Sequence, residues 1–565
     1  MSREKVIKFV LLFVIAFAIG FIVYLGYKYK TSGEEEVSSD LVVDLSKLTY
    51  LKGNKSDSLK VYKQTDLETF KEDYTTGKLP DVYITEFLYD GAGMYKPYDL
   101  DDFVSKGNDM TVEVEKITNI NVNTSSVEFT GTLTGGMISV NTNDINSDIN
   151  ILLNNAKIDT NSKKYPAIYV YNKDINYSDY KVTIRPLEGT NNSVVGGKLK
   201  KVSLVPSDDL NIYLAKYRDY TNYYGVYNSE EVANVLFAKV EADREDLEDG
   251  DPIYYYKASG AISSDIDLYF EGKGSLEVNS LNKEGIETKG NLTFSGGQGD
   301  YVITAYDDCL NTTTSDSEDS NARNNLTIDV NSLTAIVSLE ADEGDAIDSN
   351  GKLIINNGKI IAISKPGSDS GLDSDKGIYI NGGTILATGD MYDSISDESK
   401  QKFILLAFKN KIDSDTLVVL TDTDNKTVFG YKTDRTYTNL VYSSSTLEEK
   451  DYYLYMAGDI KGKQSNGFYT TIDSYKNGTQ LGYTSKGSMG GPNGGMTPPD
   501  GGMTKPENEG TTPPSGDTTP PEKPENGMEP SQNSMSNDEA YTTNKIFTIE
   551  GVSNLFSGVG VYGEL

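Results

Sequence analysis

Histidine and tryptophan are absent from this 565-residue chain, and cysteine occurs once, at Cys309. Without histidine the chain cannot build a Ser-His-Asp triad, a Cys-His dyad or most zinc sites. A single cysteine excludes an intrachain disulfide, so stability has to come from a large regular core or from bound metal. Chemistry based on carboxylates remains available to the chain.

Positive charge is also scarce, because 52 Lys and Arg residues stand against 85 Asp and Glu residues, for a net charge of −33. Binding to phosphate groups needs clustered Lys and Arg side chains. The composition therefore argues against nucleic acid or an anionic membrane surface as a direct partner. A bound polyanion would need a cation between itself and the protein.

One long hydrophobic run is present, FVLLFVIAFAIGFIVYL at residues 9–25, with Lys and Arg on both sides. Its seventeen residues lie near the lower limit for a membrane span. No A-x-A-like cleavage site follows, which favours an uncleaved signal-anchor over a cleaved signal peptide. We expect a single-pass protein of the cell membrane, anchored by this helix, with the short head inside and the acidic body at the cell surface.

A repeat dominates the middle of the chain, where AIDSNGKLIINNGKIIA at 346–362 returns as GLDSDKGIYINGGTILA at 371–387. The first apolar residue of each repeat, here called the lead residue, recurs at spacings of 24, 24, 37 and 25 residues, at Ile262, Ile286, Leu310, Ile347 and Leu372. An alternating apolar pair follows most lead residues, and glycine closes it. Alternation indicates a strand, glycine a turn, and such a period a solenoid. The sequence predicts a right-handed parallel β-helix with three short strands and three corners per turn.

The predicted organisation is therefore all-β, preceded by one transmembrane helix, and we expect a monomer. Composition and repeats divide the chain into a signal-anchor segment at 1–30, a stalk and N-terminal β region at 31–115, the β-helix at 116–400 with an insertion at about 200–255, a C-terminal antiparallel β cap at 401–487, a disordered Gly/Pro/Met-rich segment at 488–540, and a strand segment at 541–565 that returns to pair with the cap.

Acidic residues crowd one corner of the repeat. The residue after each lead residue points outward if the lead residue points inward, and neighbouring repeats stack about 4.8 Å apart. Two carboxylates at that spacing repel by roughly 1 kcal/mol in water and roughly 3 kcal/mol at an effective dielectric of 20. Hard oxygen ligands suit calcium, although Asp and Asn are also ordinary turn residues. The predicted calcium ligands are Glu287, Asp307, Asp308, Asn311, Asp345, Asp348, Asp369, Asp373 and Asp375.

Two further features have simple interpretations. The column that contains Cys309 holds only small residues, Ala261, Gly285, Ala346 and Gly371, so we expect tight packing rather than a reactive thiol. The densest tyrosine patch is YLAKYRDYTNYYGVY at 213–227, where tyrosine rings could stack on sugars beside an arginine fork, or pack the insertion onto the solenoid. The candidate sugar-binding residues are Tyr217, Arg218, Tyr220, Tyr223 and Tyr224.

The ordered series AISSDIDLYFEGKGSLEV, GIETKGNLTFSGG, YDDCLNT, GDAIDSNGKLIINNGKIIA, GLDSDKGIYINGGTILATGD and GSMGGPNGGM resembles a family of bacterial cell-surface carbohydrate-binding β-helix proteins of lyase-like architecture. The resemblance covers roughly residues 145–495. It implies calcium as a cofactor and polysaccharides such as pectate and cellulose as partners. The acidic loop at 313–324 and the insertion after Gly197 depart from the family.

Three functions remain open at this stage. We expect a non-catalytic protein that binds polyuronate through calcium and cellulose-like glucan through tyrosine surfaces. The enzymatic alternative is a β-helix lyase or hydrolase acting on pectate, for which Arg323 is the basic residue near the acidic strip and Asp307 and Asp308 in YDDC could be an acidic pair. The Gly-His-Gly and Arg-Ile-Lys segments that accompany such a pair in polygalacturonases are absent. The third alternative is a purely structural or adhesive surface protein.

Overall fold

The computed structural model describes residues 38–54, 58–86, 110–111, 118–142, 145, 147–161, 166–172, 180–198, 201–203, 213–216, 224–227, 252–254, 260–281, 283–313, 324–341, 343–367, 369–487 and 543–562. These residues are mostly in strands, with one α-helix, α1 at Leu67–Thr75, preceded by a 3-10 turn at Gln64–Asp66.

The first half of the described chain contains β1 Val42–Asp44, β2 Thr49–Lys52, β3 Lys60–Lys63, β4 Val82–Glu86, β5 Met110–Thr111, β6 Thr118–Val122, β7 Ser126–Thr134, β8 Gly136–Asn141, β9 Ile149–Asp159, β10 Ile168–Tyr171, β11 Val182–Pro186, β12 Asn191–Lys198, β13 Lys201–Ser203, β14 Tyr213–Lys216, β15 Tyr224–Tyr227 and β16 Pro252–Tyr254. The repeats follow as β17 Ile262–Ser264, β18 Leu268–Glu271, β19 Ser275–Leu281, β20 Ile286–Thr288, β21 Leu292–Ser295, β22 Asp300–Ala305, β23 Leu310–Thr312, β24 Leu326–Val337, β25 Ile347–Ser349, β26 Leu353–Ile363, β27 Ile378–Ile380 and β28 Thr384–Gly389.

The C-terminal part contains β29 Phe403–Ile412, β30 Val418–Asp422, β31 Thr427–Tyr431, β32 Tyr437–Ser444, β33 Asp451–Met456, β34 Asp459–Ser465, β35 Phe468–Lys476, β36 Thr479–Gln480, β37 Ser485–Gly487, β38 Phe547–Thr548 and β39 Ser553–Val559.

Successive repeats lie side by side as parallel strands. In a nine-stranded sheet, β10, β17, β20, β23 and β25 follow one another, and the lead residues Ile262, Ile286, Leu310 and Ile347 are direct partners. All four are fully buried because each strand turns its first and third residues inward. The alignment of these four lead residues from the sequence is thus their strand register. The fifth lead residue, Leu372, is buried but lies outside the strands.

The largest sheet has 18 strands, and eight of them close a ring of parallel pairings in the order β9, β11, β18, β21, β24, β22, β19, β12 and back to β9. An open solenoid with three separate faces contains no such ring, so the predicted right-handed parallel β-helix is wrong as a description of this fold. Two long strands cause the closure. The first half of β24 pairs with β21 and its second half with β22, and β9 bridges β11 and β12 in the same way.

Apolar side chains from the repeats form one continuous buried cluster inside the stacked strands. Phe270 and Phe294 stack in it with ring centroids 4.8 Å apart, and the Tyr301 ring meets Phe294 edge-on at 4.9 Å. Hydroxyl groups lie at the ends of the short strands that begin with the lead residues. Thr288 donates to the Ile266 carbonyl oxygen at 2.6 Å, and Ser349 donates to the Asn324 carbonyl oxygen at 2.9 Å. The corner is therefore fixed by side chains whose hydrogen bonds are satisfied inside the protein.

A seven-stranded antiparallel sheet follows the repeats and covers a second buried cluster. It contains β30, β31, β33, β34, β35, β36 and β38. The C-terminal segment returns to the body of the protein, since β38 pairs with β33 and β39 lies parallel to β29.

The N-terminal prediction needs correction. Among the described residues, no helix is long and apolar enough to cross a membrane. The helix that is described, α1, has 9 residues and a mostly exposed surface. This finding contradicts three predictions: the transmembrane signal-anchor, the membrane as a partner, and the single-pass location with an extracellular body. The run at residues 9–25 itself lies outside the described residues.

Candidate functional site

Two columns of acidic residues run along the stacked lead strands. The following column is the set of residues one position after the lead residues, and it contains Glu287, Asn311 and Asp348, which are direct partners in parallel strands. Asp373 continues this column, because its backbone N–H donates to the Ile347 carbonyl oxygen at 2.8 Å. Each of these strands turns its middle residue away from the core and leaves it half-buried. The following column therefore presents oxygen atoms at each successive repeat.

The preceding column is the set of residues two positions before the lead residues, and it contains Glu284, Asp308 and Asp345. Backbone hydrogen bonds hold these positions in register. Gly285 N–H donates to the Asp308 carbonyl oxygen at 2.9 Å, and Cys309 N–H donates to the Asp345 carbonyl oxygen at 3.2 Å. The small residues next to the column make this close stacking possible, since a Cβ on Gly285 would lie 2.5 Å from the Cys309 carbonyl oxygen. The Cys309 side chain is fully buried, as expected for a packing residue.

The two columns meet at Asn311. Its side-chain amide donates to Asp308 Oδ2 at 2.5 Å and to Asp348 Oδ2 at 3.3 Å. The other Asp308 oxygen accepts the Asp345 backbone N–H at 2.7 Å. Asn311 Oδ1 is buried and has no hydrogen-bond partner in the described structure. The junction thus holds one unpartnered amide oxygen on a side chain whose nitrogen contacts two carboxylates.

The electrostatics of the preceding column favour bound protons or cations. Burial, and then the neighbouring Glu287, raise the pKa of Glu284 to about 7. Burial together with Asp307 and Glu284 raises the pKa of Asp308 to about 8. The pKa of Asp345 is also raised by burial, and next by Asp373 and Asp308. These shifts have one physical cause, which is that several carboxylates share a corner with little access to water.

Asp393 belongs to the same corner although the repeat pattern does not include it. Burial and the neighbouring Asp373 raise the pKa of Asp393 to about 7, and its Oδ2 accepts the Ser374 N–H at 3.0 Å. Asp369 lies at the edge of the corner, where burial raises its pKa. The group of acidic residues therefore continues beyond β25, the last strand that begins with an aligned lead residue.

Three predicted ligands have partners away from the junction at Asn311. Glu287 Oε2 accepts from the Ser263 hydroxyl group at 3.4 Å, and Asp375 Oδ2 accepts from the Asn350 amide at 3.1 Å. Asp307 is in contact with the Lys283 ammonium group. The structure thus brings Asp308, Asn311, Asp345, Asp348 and Asp373 together and leaves Glu287, Asp307 and Asp375 at the margins, in other contacts.

The carboxylates follow the columns instead of converging on one point. Within the part of the chain that the structure describes, no group of three or more His, Cys, Asp or Glu side chains forms a ready-made metal site. Asn311 contributes an oxygen of another type, and backbone carbonyl oxygens of the corner are further hard donors.

The predicted sugar-binding patch cannot be placed. Tyr217, Arg218, Tyr220 and Tyr223 lie outside the described residues, and Tyr224 begins β15, whose backbone alone is described. Arg323 also lies outside the described residues. Neutral glucan binding by this patch stays a prediction.

Sequence reasoning missed Lys283, Glu284 and Asp393. The signal for two of them was present, because reading the preceding column in the repeat alignment sets Glu284 beside Asp308 and Lys283 beside Asp307. Asp393 had no such signal, since it follows the last repeat in a stretch without regular alternation.

Comparison with known proteins supports the resemblance. Residues 226–402 match the model of a family described as carbohydrate-binding domain-containing protein. No curated protein matches the chain. Among solved structures, the polysaccharide lyase-like protein from C. thermocellum, studied as a gadolinium derivative, aligns with 49% of this chain and 86% of its own at 17% identity, with a TM-score of 0.26. The match to the family model confirms the resemblance over residues 226–402.

Proposed function

We propose that the chain, whose residues 226–402 match a carbohydrate-binding family, binds acidic polysaccharide through calcium held at the corner where the two acidic columns meet. The proposed ligand set is Asp308, Asn311, Asp345, Asp348 and Asp373. Calcium takes 6 to 8 oxygen ligands in flexible geometry, so a mixture of carboxylate, amide and backbone oxygens is suitable.

The unpartnered oxygen of Asn311 is the observation that carries the proposal. An amide carbonyl buried without a hydrogen bond costs free energy, and such groups in folded proteins usually have a protein, water or ion partner. Asn311 spends both N–H donors on Asp308 and Asp348, which leaves its oxygen facing no donor. A calcium ion would satisfy the oxygen and at the same time neutralise the adjacent carboxylates.

The charge of the corner supports the same proposal. Raised pKa values at Asp308 and Asp345 mean that the ionised forms are destabilised in the fold. A divalent cation reverses this local balance and lets the carboxylates stay ionised. Oxygen donors select calcium over softer metals.

Bound calcium would explain how a chain with a net charge of −33 holds an acidic polysaccharide. Direct contact would oppose carboxylate to carboxylate at a cost that increases as water is excluded. Ions bound along the columns would present positive charge at intervals that follow the repeat. A polyuronate chain could then contact several ions, and weak contacts add through effective concentration.

Lys283 is a poor candidate for a catalytic base at this corner. A lyase needs a basic side chain that can accept a proton next to the metal. Burial alone would lower the pKa of Lys283, but the Glu284 and Asp307 carboxylates outweigh burial and raise the pKa above its ordinary value. Lys283 therefore stays protonated and is poorly suited to be a general base.

Retention of the full chain on immobilised polygalacturonate tests the proposal. We expect retention in millimolar calcium and its loss in chelator. The double variant Asp345→Asn with Asp348→Asn should weaken retention at least about tenfold, which corresponds to about 1.4 kcal/mol. The control is Asp415→Asn, because the Asp415 side chain is 75% exposed and pairs with Lys432 outside the corner.

Equal retention with and without calcium would contradict the bridging mechanism, whatever the glycan. Loss of retention in the Asp415→Asn control would show that overall charge, and not the corner, determines binding. Product formation from polygalacturonate that disappears in the double variant would favour the enzymatic alternative.

A further inference from the structure

A row of side chains on the largest sheet faces away from the core, outside the acidic corner. It crosses five neighbouring parallel strands, β18, β21, β24, β26 and β27, and its members are direct partners in the strand register. Each strand turns the residues on either side into the core and leaves the member of the row half-buried. The row, here called the Tyr-Thr strip, contains Tyr269, Thr293, Thr327, Ile354 and Tyr379.

The two tyrosines at the ends of the strip are held in the same way. Lys181 directly precedes β11, and its Nζ lies 4.7 Å from the centroid of the Tyr269 ring. Lys352 directly precedes β26, and its Nζ lies 4.9 Å from the centroid of the Tyr379 ring. In both cases the lysine belongs to the strand next to that of the tyrosine, since β11 pairs with β18 and β26 pairs with β27. An ammonium group at this distance is attracted to the ring, which helps to fix each tyrosine before a ligand arrives.

The strip offers hydrogen-bonding groups that the protein does not use. In the described part of the chain, none of its four hydroxyl groups donates to or accepts from another residue. The five side chains of the strip carry no charge, whereas carboxylates line the acidic corner. Tyrosine combines an apolar ring with a polar hydroxyl group. Such a surface suits a neutral ligand that also combines apolar C–H faces with hydroxyl groups, as a sugar ring does.

We propose that the Tyr-Thr strip binds a neutral polysaccharide with a flat, extended chain, which lies across the strands and stacks one sugar ring on each tyrosine. Neighbouring strands lie about 4.8 Å apart, close to the length of one sugar unit along an extended 1,4-linked chain. Tyr269 and Tyr379 are four strand spacings apart, or about 19 Å, so a chain of about five sugars reaches both rings. All five residues of the strip lie within residues 226–402, which match the carbohydrate-binding family.

Two tyrosines on one surface make the affinity depend on the length of the ligand. A short oligosaccharide reaches one ring at a time. A longer one reaches both rings, and its second contact is intramolecular, so the affinity increases without any new kind of contact. Thr293 and Thr327 lie beneath the middle of such a chain and offer their hydroxyl groups to it.

Isothermal titration calorimetry of the full chain with β-1,4-linked gluco-oligosaccharides, in chelator, tests the proposal. We expect cellohexaose to bind at least about tenfold more tightly than cellotriose. Tyr269→Ala and Tyr379→Ala should each remove this length effect, because one ring remains and both oligosaccharides then use it. Tyr269→Phe should keep the effect, since the ring stays in place. The control is Tyr74→Ala, which should change neither affinity, because Tyr74 is 47% exposed and lies on α1, outside the strip.

No binding, or equal affinity for cellohexaose and cellotriose, would overturn the proposal whether or not the variants fold. A length effect that survives in both alanine variants would place the binding surface elsewhere. Maltohexaose has a curved α-1,4-linked chain and should bind no better than cellotriose, so equal binding of the two hexaoses would rule out selection of a flat chain. The titration is done without calcium. Binding at the strip and calcium-dependent retention on polygalacturonate can therefore fail separately.

Discussion

At the scale of single residues, Asp308 shows how burial can outweigh hydrogen bonding. Both of its oxygens accept hydrogen bonds, from Asn311 and from the Asp345 N–H. These bonds favour the ionised form, yet burial and the neighbouring carboxylates raise the pKa to about 8. Removal from water and like charges therefore decide the protonation of this group.

This pKa shift predicts the pH dependence of stability in the absence of calcium. The pKa of Asp308 is about 8 in the fold and near 3.8 when unfolded, so the folded chain binds the proton more tightly. Its contribution to stability is complete below about pH 4 and is lost as pH rises to about 8. In chelator, the melting temperature should decrease over this interval, and Asp308→Asn should flatten the decrease. An equally steep decrease in the variant would assign the effect to the other carboxylates.

The sequence could predict part of this site because lead residues repeat at nearly constant spacing. Once Ile286 and Leu310 are aligned, the neighbours of each lead residue are aligned as well, and Asp308 and Asp348 follow from that register. The contacts that decide each role could not be predicted. Nothing in the alignment shows that Asn311 leaves one oxygen without a donor.

At the scale of strands, aromatic residues at equivalent positions stabilise the stack of repeats. Phe294 on β21 lies between the Phe270 ring at 4.8 Å and the Tyr301 ring at 4.9 Å, and all three are buried. Because the partners come from neighbouring strands, Phe294 contributes to the packing between repeats as well as within one. Its removal would leave a cavity at the junction of three strands.

Phe294→Ala should lower the free energy of unfolding by about 3 to 5 kcal/mol, the usual cost of emptying a buried phenylalanine site. Val302→Ala on the adjacent β22 is the control, because Val302 is 46% exposed and a change there should cost less than about 0.5 kcal/mol. Denaturant titration of both variants measures the difference. Similar losses in the two variants would mean that the aromatic stack does not hold the repeats together.

Strand register was predictable, but the closure of the strands into a ring was not. The alternation that marks Leu268 and Leu292 is local, and glycine marks the corners that follow. In β24 no glycine interrupts residues 326–337, and the strand continues across the position where β18 and β21 end. A sequence period identifies residues that stack, whereas sheet closure depends on which strands continue past a corner.

At the scale of the whole molecule, the C-terminal segment connects the repeats to the antiparallel sheet. Strand β39 pairs with β29 from Ser553 to Val559, and Leu555 and Phe556 are buried against the two core clusters. Tyr483 and Asn544 are neighbours in the fold, because they exchange two backbone hydrogen bonds at 2.9 and 3.0 Å. The ends of the intervening segment are thus held close together by the folded part.

This arrangement predicts opposite results for two deletions. A chain that ends at residue 542 should lose at least about 3 kcal/mol of unfolding free energy, since the burial of Phe556 alone contributes on that order. A chain in which a short Gly-Ser linker replaces residues 490–540 should keep its melting temperature, because that segment has a composition that cannot build a core. Thermal denaturation of both chains makes the comparison. If the linker variant melts as early as the truncated one, residues 490–540 contribute to the fold in spite of their composition; if the truncated chain melts normally, the pairing of β39 with β29 is dispensable.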